Sequence, residues 1–281
     1  MIPTEFDYAA PESLEDALWL LGEGGEETRL LAGGHSLIPL MKLRIAMPTK
    51  LVDLRRVPGL RGLQREDGWW RIGAMTVHSE LEHHPELGLL GRAAGTIADP
   101  QVRHCGTIGG SLAHGDPASD LPAVLLATGG SVSAHGSGGR RTIEAADLFQ
   151  DYMTTALTHD EVLTEVHMPT LDGWGYGYQK FNRRAEDWAM VAVCALVRVR
   201  DGACEDVRVG LTHMASVPLR ATAVEEALRG QPLEPGSIQE AAGHAADGTD
   251  PPGDLNATPD YKRHLARVLC QRALAEAAGL W

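Results

Sequence analysis

The sequence predicts an α+β fold, and three observations predict it. A short apolar run, 30–32, ends in the glycine pair Gly33-Gly34, and a second glycine pair, Gly109-Gly110, follows in segment 107–111. In the last third, two long β-branched runs, 190–200 and 203–211, are joined by Asp201-Gly202, a strong hairpin dipeptide. Helical stretches are grouped together instead of alternating strictly with strands. At 281 residues the chain exceeds one typical domain. Its texture changes near Pro58 and Gly173, which divides it into 1–57, 58–172 and 173–281.

In chain order, Ser13 with Asp16 resembles a capping box, and Leu14, Ala17, Leu18 and Leu21 share one helical face that Gly22 ends. Residues 28–32 read as a buried strand leading into the first glycine turn, and 51–54 as a second strand after Pro48. Residues 69–73 are a strand. Ser79 with Glu82 caps a helix through the 80s, and a further helix covers 86–97 until Asp99-Pro100 breaks it. After the second glycine pair, Ser119 or Asp120 caps a helix that tolerates Pro122 in its first turn and stops at Gly129-Gly130. Residues 131–134 and 160–168 are strands. The last unit holds strands 174–181, 190–200 and 203–211, a helix 220–228, a helix capped by Ser237 up to Ala246, a Pro/Gly-rich loop 247–259 and a closing helix 260–278.

Composition excludes several classes of function. A formal net charge of −13 argues against nucleic-acid binding. No apolar run approaches the roughly 18 residues of a membrane span, and the N-terminus lacks the basic and apolar segments of a secretory signal. Cys105, Cys194, Cys204 and Cys270 are scattered, which fits a reducing cytoplasm and speaks against an iron–sulfur or zinc site carried by this chain. His83 and His84 are neighbours, but adjacent helical residues point about 100° apart, so they read as surface groups. No hydrolytic triad or paired-carboxylate site stands out, and no catalytic residue or metal ligand is assigned.

The glycine pairs are the chemical signal. Adjacent glycines remove the Cβ atoms that hold a ligand off the backbone, and they permit positive φ. The amides from Gly33 to Leu37 then form an anion-binding concavity, to which a helix opened at Ser36 adds its free N–H groups. Residues 107–111 repeat the design. Either pair alone reads more readily as a tight turn, by roughly two to one.

Three segments in order, AGGHSLIPLMKLR, TIGGSLAHGDPASDLP and YQKFNRRAEDWAMVAV, resemble the flavin-binding medium subunit of the molybdenum hydroxylases, of the aerobic carbon monoxide dehydrogenase and xanthine dehydrogenase type. The resemblance runs over nearly the whole chain. It implies a two-subdomain, PCMH-type FAD-binding domain followed by a smaller C-terminal α+β domain with a three-stranded antiparallel sheet.

It also implies roles for individual residues. Leu31, Ala32, Gly33, Gly34, His35 and Ser36 hold the FAD diphosphate through backbone amides and the Ser36 hydroxyl. Thr107, Ile108, Gly109, Gly110 and Ser111 form a second clamp, with Ser111 departing from the asparagine or aspartate common there. Asp120 hydrogen-bonds the cofactor, Leu163 is a backbone contact, and Lys180 faces the ring, where a cation stabilises the anionic reduced flavin. Trp188 falls where relatives cover the ring face. Three of these have a plainer reading: Asp120 as a helix N-cap, Lys180 as a solvated strand residue, and Trp188 as core. GGHS also occurs in oxidases whose histidine is tied covalently to flavin, but the MKLR continuation favours noncovalent binding.

The function implied is electron transfer. A large molybdenum-cofactor subunit oxidises the substrate, an iron–sulfur subunit with two-iron two-sulfur clusters relays the electrons, and FAD on this chain passes them to an external acceptor. The expected assembly is a dimer of heterotrimers. A self-sufficient flavin oxidoreductase and a noncatalytic scaffold of the same fold are the alternatives.

Overall fold

The computed structural model describes residues 2–280. The first sheet is parallel, with Lys50–Asp53 at its centre and Asp7–Ala9 and Thr28–Leu31 on either side. Helix Leu14–Glu23 crosses between the outer strands. The Ser13 hydroxyl accepts the Asp16 amide at 3.0 Å and sets the start of the helix, which runs one residue beyond Gly22. Its buried Ala17 and Leu21 pack with Val52 and Leu54. Helix Leu37–Lys42 follows the first glycine turn and returns the chain toward the central strand.

The second sheet is antiparallel throughout, in the order Leu63–Glu66, Trp69–Gly73, Val162–Pro169, Ser131–Gly136, Gly139–Glu144. Five helices lie between its second and fourth strands: His78–His83, Leu89–Ala94, Pro100–Arg103, Ile108–His114 and Asp120–Thr128. Inward-facing Ile72, Val132, Ala134 and Val166 meet Leu81, Leu89, Ile108, Leu112 and Leu125 in one core. Several boundaries differ from expectation. Ser79 and Glu82 lie inside a helix whose cap position is Val77. The 86–97 helix shrinks to Leu89–Ala94 because Gly88, at φ +48°, turns the chain just before it. Asp99 does not merely break a helix: its Oδ1 accepts the Val102 amide at 2.8 Å and starts a new one, with Pro100 at the first position.

The third sheet runs Gly175–Phe181, Val191–Arg200, Ala203–Thr212, Leu219–Arg220, all antiparallel. It therefore has four strands where three were expected. The fourth is two residues long, too short to leave a period in the sequence, and pairs with Gly210 and Leu211. Asp201 and Gly202 both take positive φ (52° and 79°), the conformation a tight two-residue hairpin demands. Helices Thr222–Leu228, Pro235–Ala242 and Pro259–Ala277 cover one face and share a core with Val193, Val207 and Val209. Ser237 sits in the first turn of its helix, not at the cap. It forms a reciprocal box with Glu234, the true cap residue. Among the described residues no helix is long and apolar enough to cross a membrane.

Candidate functional site

The two glycine turns share a wall. A Cβ on Gly33 would lie 2.5 Å from the Cys105 carbonyl oxygen and 2.7 Å from Gly106 Cα, so the first turn rests directly on the backbone that leads into the second. A Cβ on Gly110 would lie 3.6 Å from the Ala32 methyl. Leu31 ends its strand buried with Met41 and Leu51, which anchors the turn from below. Gly34 takes φ +76° and reverses the chain, while its carbonyl accepts the Ile38 amide at 3.0 Å. Ser36 occupies the cap position of the next helix, but its side chain caps nothing. His35 is exposed.

The turns differ in their amides. Among the described residues, the N–H groups of Gly33, Gly34, His35 and Ser36 donate to no backbone carbonyl. The second turn is already committed. Ile108 donates to the Thr76 carbonyl (3.0 Å), Gly109 to Ala74 (2.8 Å) and Ser111 to Thr107 (3.0 Å), and the Gly110 amide reaches the Thr107 hydroxyl at 3.1 Å. Gly109 is required there for close approach, since a Cβ would fall 2.5 Å from the Ala74 methyl and 2.7 Å from its carbonyl oxygen. Ala74 in turn donates to the Thr164 carbonyl at 2.9 Å, which wires the second turn to the strand carrying buried Leu163. One turn thus offers free amides and the other braces it. A row of unsatisfied N–H groups on a glycine turn fits a diphosphate, so the residues present suit the cofactor that the sequence implies.

Asp120 and Lys180 meet in a buried pair. Lys180 Nζ donates to Asp120 Oδ2 at 2.9 Å and to the Thr96 carbonyl at 3.0 Å, with side-chain exposures of 5% and 4% for the lysine and the aspartate. The Tyr178 hydroxyl donates to Asp120 Oδ1 at 2.6 Å. Burial pushes the Asp120 carboxyl above its usual range, and the Lys180 ammonium with the two hydrogen bonds pulls it back. Burial and the neighbouring carboxylate push the Tyr178 hydroxyl well above the ordinary tyrosine value, so it remains a donor. Lys180 is therefore neither solvated nor loose. Tyr178 was missed because its partner lies 58 positions earlier in the chain. Lys180 and Tyr178 line a cleft of about 580 Å³ together with Thr96, Arg103 and Asn182, and Asp120 lies behind them, outside its lining. A second concavity of about 460 Å³, on the strands of the five-stranded sheet around Ser133, Arg140 and His167, contains none of the expected residues.

Trp188 stands apart. It is 54% exposed on the loop between strands Gly175–Phe181 and Val191–Arg200, and no hydrogen bond or ring contact joins it to the turns among the described residues. The adjacent Ala189 carbonyl is hydrogen-bonded to His213 Nδ1 at 2.8 Å, which steadies the base of that loop.

Comparison with known proteins agrees along the whole chain. Residues 4–171 match the family described as the FAD binding domain in molybdopterin dehydrogenase, and residues 176–277 match the CO dehydrogenase flavoprotein C-terminal domain. The chain is 40% identical to the carbon monoxide dehydrogenase medium chain of Hydrogenophaga pseudoflava, covering 98% of this chain and 97% of that one. It is 38% identical to the nicotine 6-hydroxylase medium subunit of Paenarthrobacter nicotinovorans, covering 96% of each. A solved structure of carbon monoxide dehydrogenase from Hydrogenophaga pseudoflava superposes with a TM-score of 0.97 at 42% identity, over 100% of this chain and 99% of the other.

Proposed function

The chain belongs to the family of FAD-binding medium subunits of the molybdenum hydroxylases, and from that premise we propose that it holds the flavin through which a multi-subunit dehydrogenase discharges its electrons. The carrying observation is the row of free amides at 33–36, braced from behind by the 105–110 backbone. Those amides, with the Ser36 hydroxyl, take the diphosphate. Residues 107–111 act mainly as the wall that holds Ala32 and Gly33 in place, with the half-buried Ser111 side chain as their direct contact.

Bound FAD supplies the redox chemistry, accepting electrons singly and releasing them in pairs. The protein contributes position and charge. Asp120 anchors Lys180, which keeps a fixed positive charge at the edge of the 580 Å³ cleft. Leu163, next to Thr164, whose carbonyl accepts the Ala74 amide, offers backbone to the cofactor. Trp188 provides an indole to cover the ring and restrict access to it. In this reading an iron–sulfur subunit delivers electrons, a large molybdenum-cofactor subunit transforms the substrate, and an external acceptor draws electrons off. The complex is a dimer of heterotrimers in the cytoplasm, a compartment that suits the free thiols of Cys105, Cys194, Cys204 and Cys270. The division into 1–57, 58–172 and 173–281 is supported by the three large sheets, each drawing all its strands from one unit.

Purification of the chain tests the reading. A yellow protein with about one FAD per chain, released on denaturation, is expected. A colourless protein that takes up no added FAD contradicts it.

A further inference from the structure

His78 opens the helix His78–His83 directly behind the first glycine turn. The residue is 4% exposed, and its Nδ1 is sealed from solvent with no hydrogen-bond partner among the described residues. A buried ring nitrogen without a partner is an uncommon and unfavourable arrangement. The His78 amide donates to the Gly106 carbonyl at 2.9 Å, which fixes the residue against that backbone. A Cβ on Gly106 would fall 2.8 Å from His78 Cδ2 and 3.1 Å from Nε2, while a Cβ on Gly33 would fall 2.7 Å from Gly106 Cα. Imidazole, Gly106 and Gly33 are three successive layers in contact, and the outermost carries the free amides.

The charged and titratable groups around the ring are few. His35 faces it from the glycine turn and Arg103 from the helix Pro100–Arg103. Arg103 is already bound to Glu82 at 2.8 Å and to the Ile97 and Ala98 carbonyls. On the ring's own helix, Glu80 is paired with Arg61. Arg92, on the neighbouring helix Leu89–Ala94, is paired with Glu276. Cys105, in the segment beneath Gly33, is a free, exposed thiol. Among the described residues, the two carboxylates of the ring's own helix are both engaged, Glu82 with Arg103 and Glu80 with Arg61.

We propose that His78 is a buried counter-cation of the diphosphate site, neutral in the flavin-free chain and protonated when a diphosphate occupies residues 33–36. The proposal rests on the FAD reading above. In the flavin-free chain, burial first, then the nearby His35 and Arg103, hold the imidazole down at about 4. A diphosphate one backbone layer away reverses that balance, because its negative charge favours the imidazolium. The imidazole gains one N–H, the proton comes from solvent and buffer, and no other bond changes.

Calorimetric titration of FAD into the flavin-free full chain, in buffers of different ionisation enthalpy, counts the protons taken up on binding. Wild type is expected to take up a measurable fraction of a proton, with Kd falling several-fold from about pH 8 to about pH 6. His78→Asn is expected to bind FAD with that uptake and pH slope lost, and His244→Asn, an exposed histidine of the C-terminal unit, to keep both. Because the first variant can fail to fold, the ring nitrogens of His78 are also followed in ¹⁵N-histidine-labelled wild type, where FAD is expected to move them to imidazolium shifts. Unchanged His78 shifts, FAD binding without proton uptake, or uptake that follows His35 instead, overturns the proposal. Failure of wild type to bind FAD at all overturns the FAD reading on which it rests.

Discussion

The Cys105 carbonyl oxygen stands 2.5 Å from the point where a side chain on Gly33 would begin. The contact is backbone on backbone, so nothing flexible is available to give way. Gly33→Ala must push the two glycine turns apart, at a cost of about 1–3 kcal/mol. Its affinity for FAD is expected to fall by about five- to 150-fold, since each 1.4 kcal/mol or so is tenfold in Kd. Gly138→Ala, with nothing within 4 Å, is the matched control and leaves both unchanged. Flavin absorbance and thermal melting read the two effects separately.

The Asp120–Lys180 pair makes a different demand. Removing one member strands the other charge inside the protein, at a cost of about 3–5 kcal/mol. Lys180→Met and Asp120→Asn are each expected to destabilise strongly, and the double variant less than their sum. Denaturant unfolding of the four proteins measures the coupling, and simple additivity would show that the pair is not the buried unit described.

Much of this was legible in the residues themselves. Ser13 caps its helix as read, Asp201-Gly202 makes its hairpin, and the first glycine turn rests on the backbone that leads into the second. What stayed hidden depends on contacts distant in the chain. Strands Leu63–Glu66 and Gly139–Glu144 are largely exposed sheet edges with no apolar alternation. Ser79 and Glu82 have the spacing of a cap yet lie within the helix, because pairing of Val77 with Thr107 fixes where the helix begins. Two of the second turn's committed amides, those of Ile108 and Gly109, depend on Thr76 and Ala74, more than thirty positions away, so no local pattern distinguishes a clamp from a brace. Lys180 resembled a solvated strand residue for the same reason.

Acid should weaken the C-terminal unit through Asp254. Burial acts to raise this carboxyl, but its bonds to Lys262 and to the Asn256 and Ala257 amides outweigh that and bring it down to about 2. A carboxyl lowered on folding stabilises the protein above its unfolded value near 4, and that contribution is lost as pH falls from there toward about 2. Asp254→Asn is expected to flatten the stability–pH curve in that window and leave its shape near neutrality unchanged. An unaltered acid limb would contradict the assignment.

Trp188 is exposed enough that Trp188→Ala should change stability by no more than about 0.5 kcal/mol. If its indole covers the flavin, the variant's flavin emission rises, because a stacked quencher has gone. Emission equal to wild type would place Trp188 away from the ring.

The central claim, that the amides of residues 33–36 hold the cofactor's diphosphate, is tested most directly by amide hydrogen exchange on the chain with and without FAD. Gly33, Gly34, His35 and Ser36 should become strongly protected on binding, while Gly109, already bonded to Ala74, changes little. FAD bound at full occupancy with those four amides still exchanging freely would contradict the account.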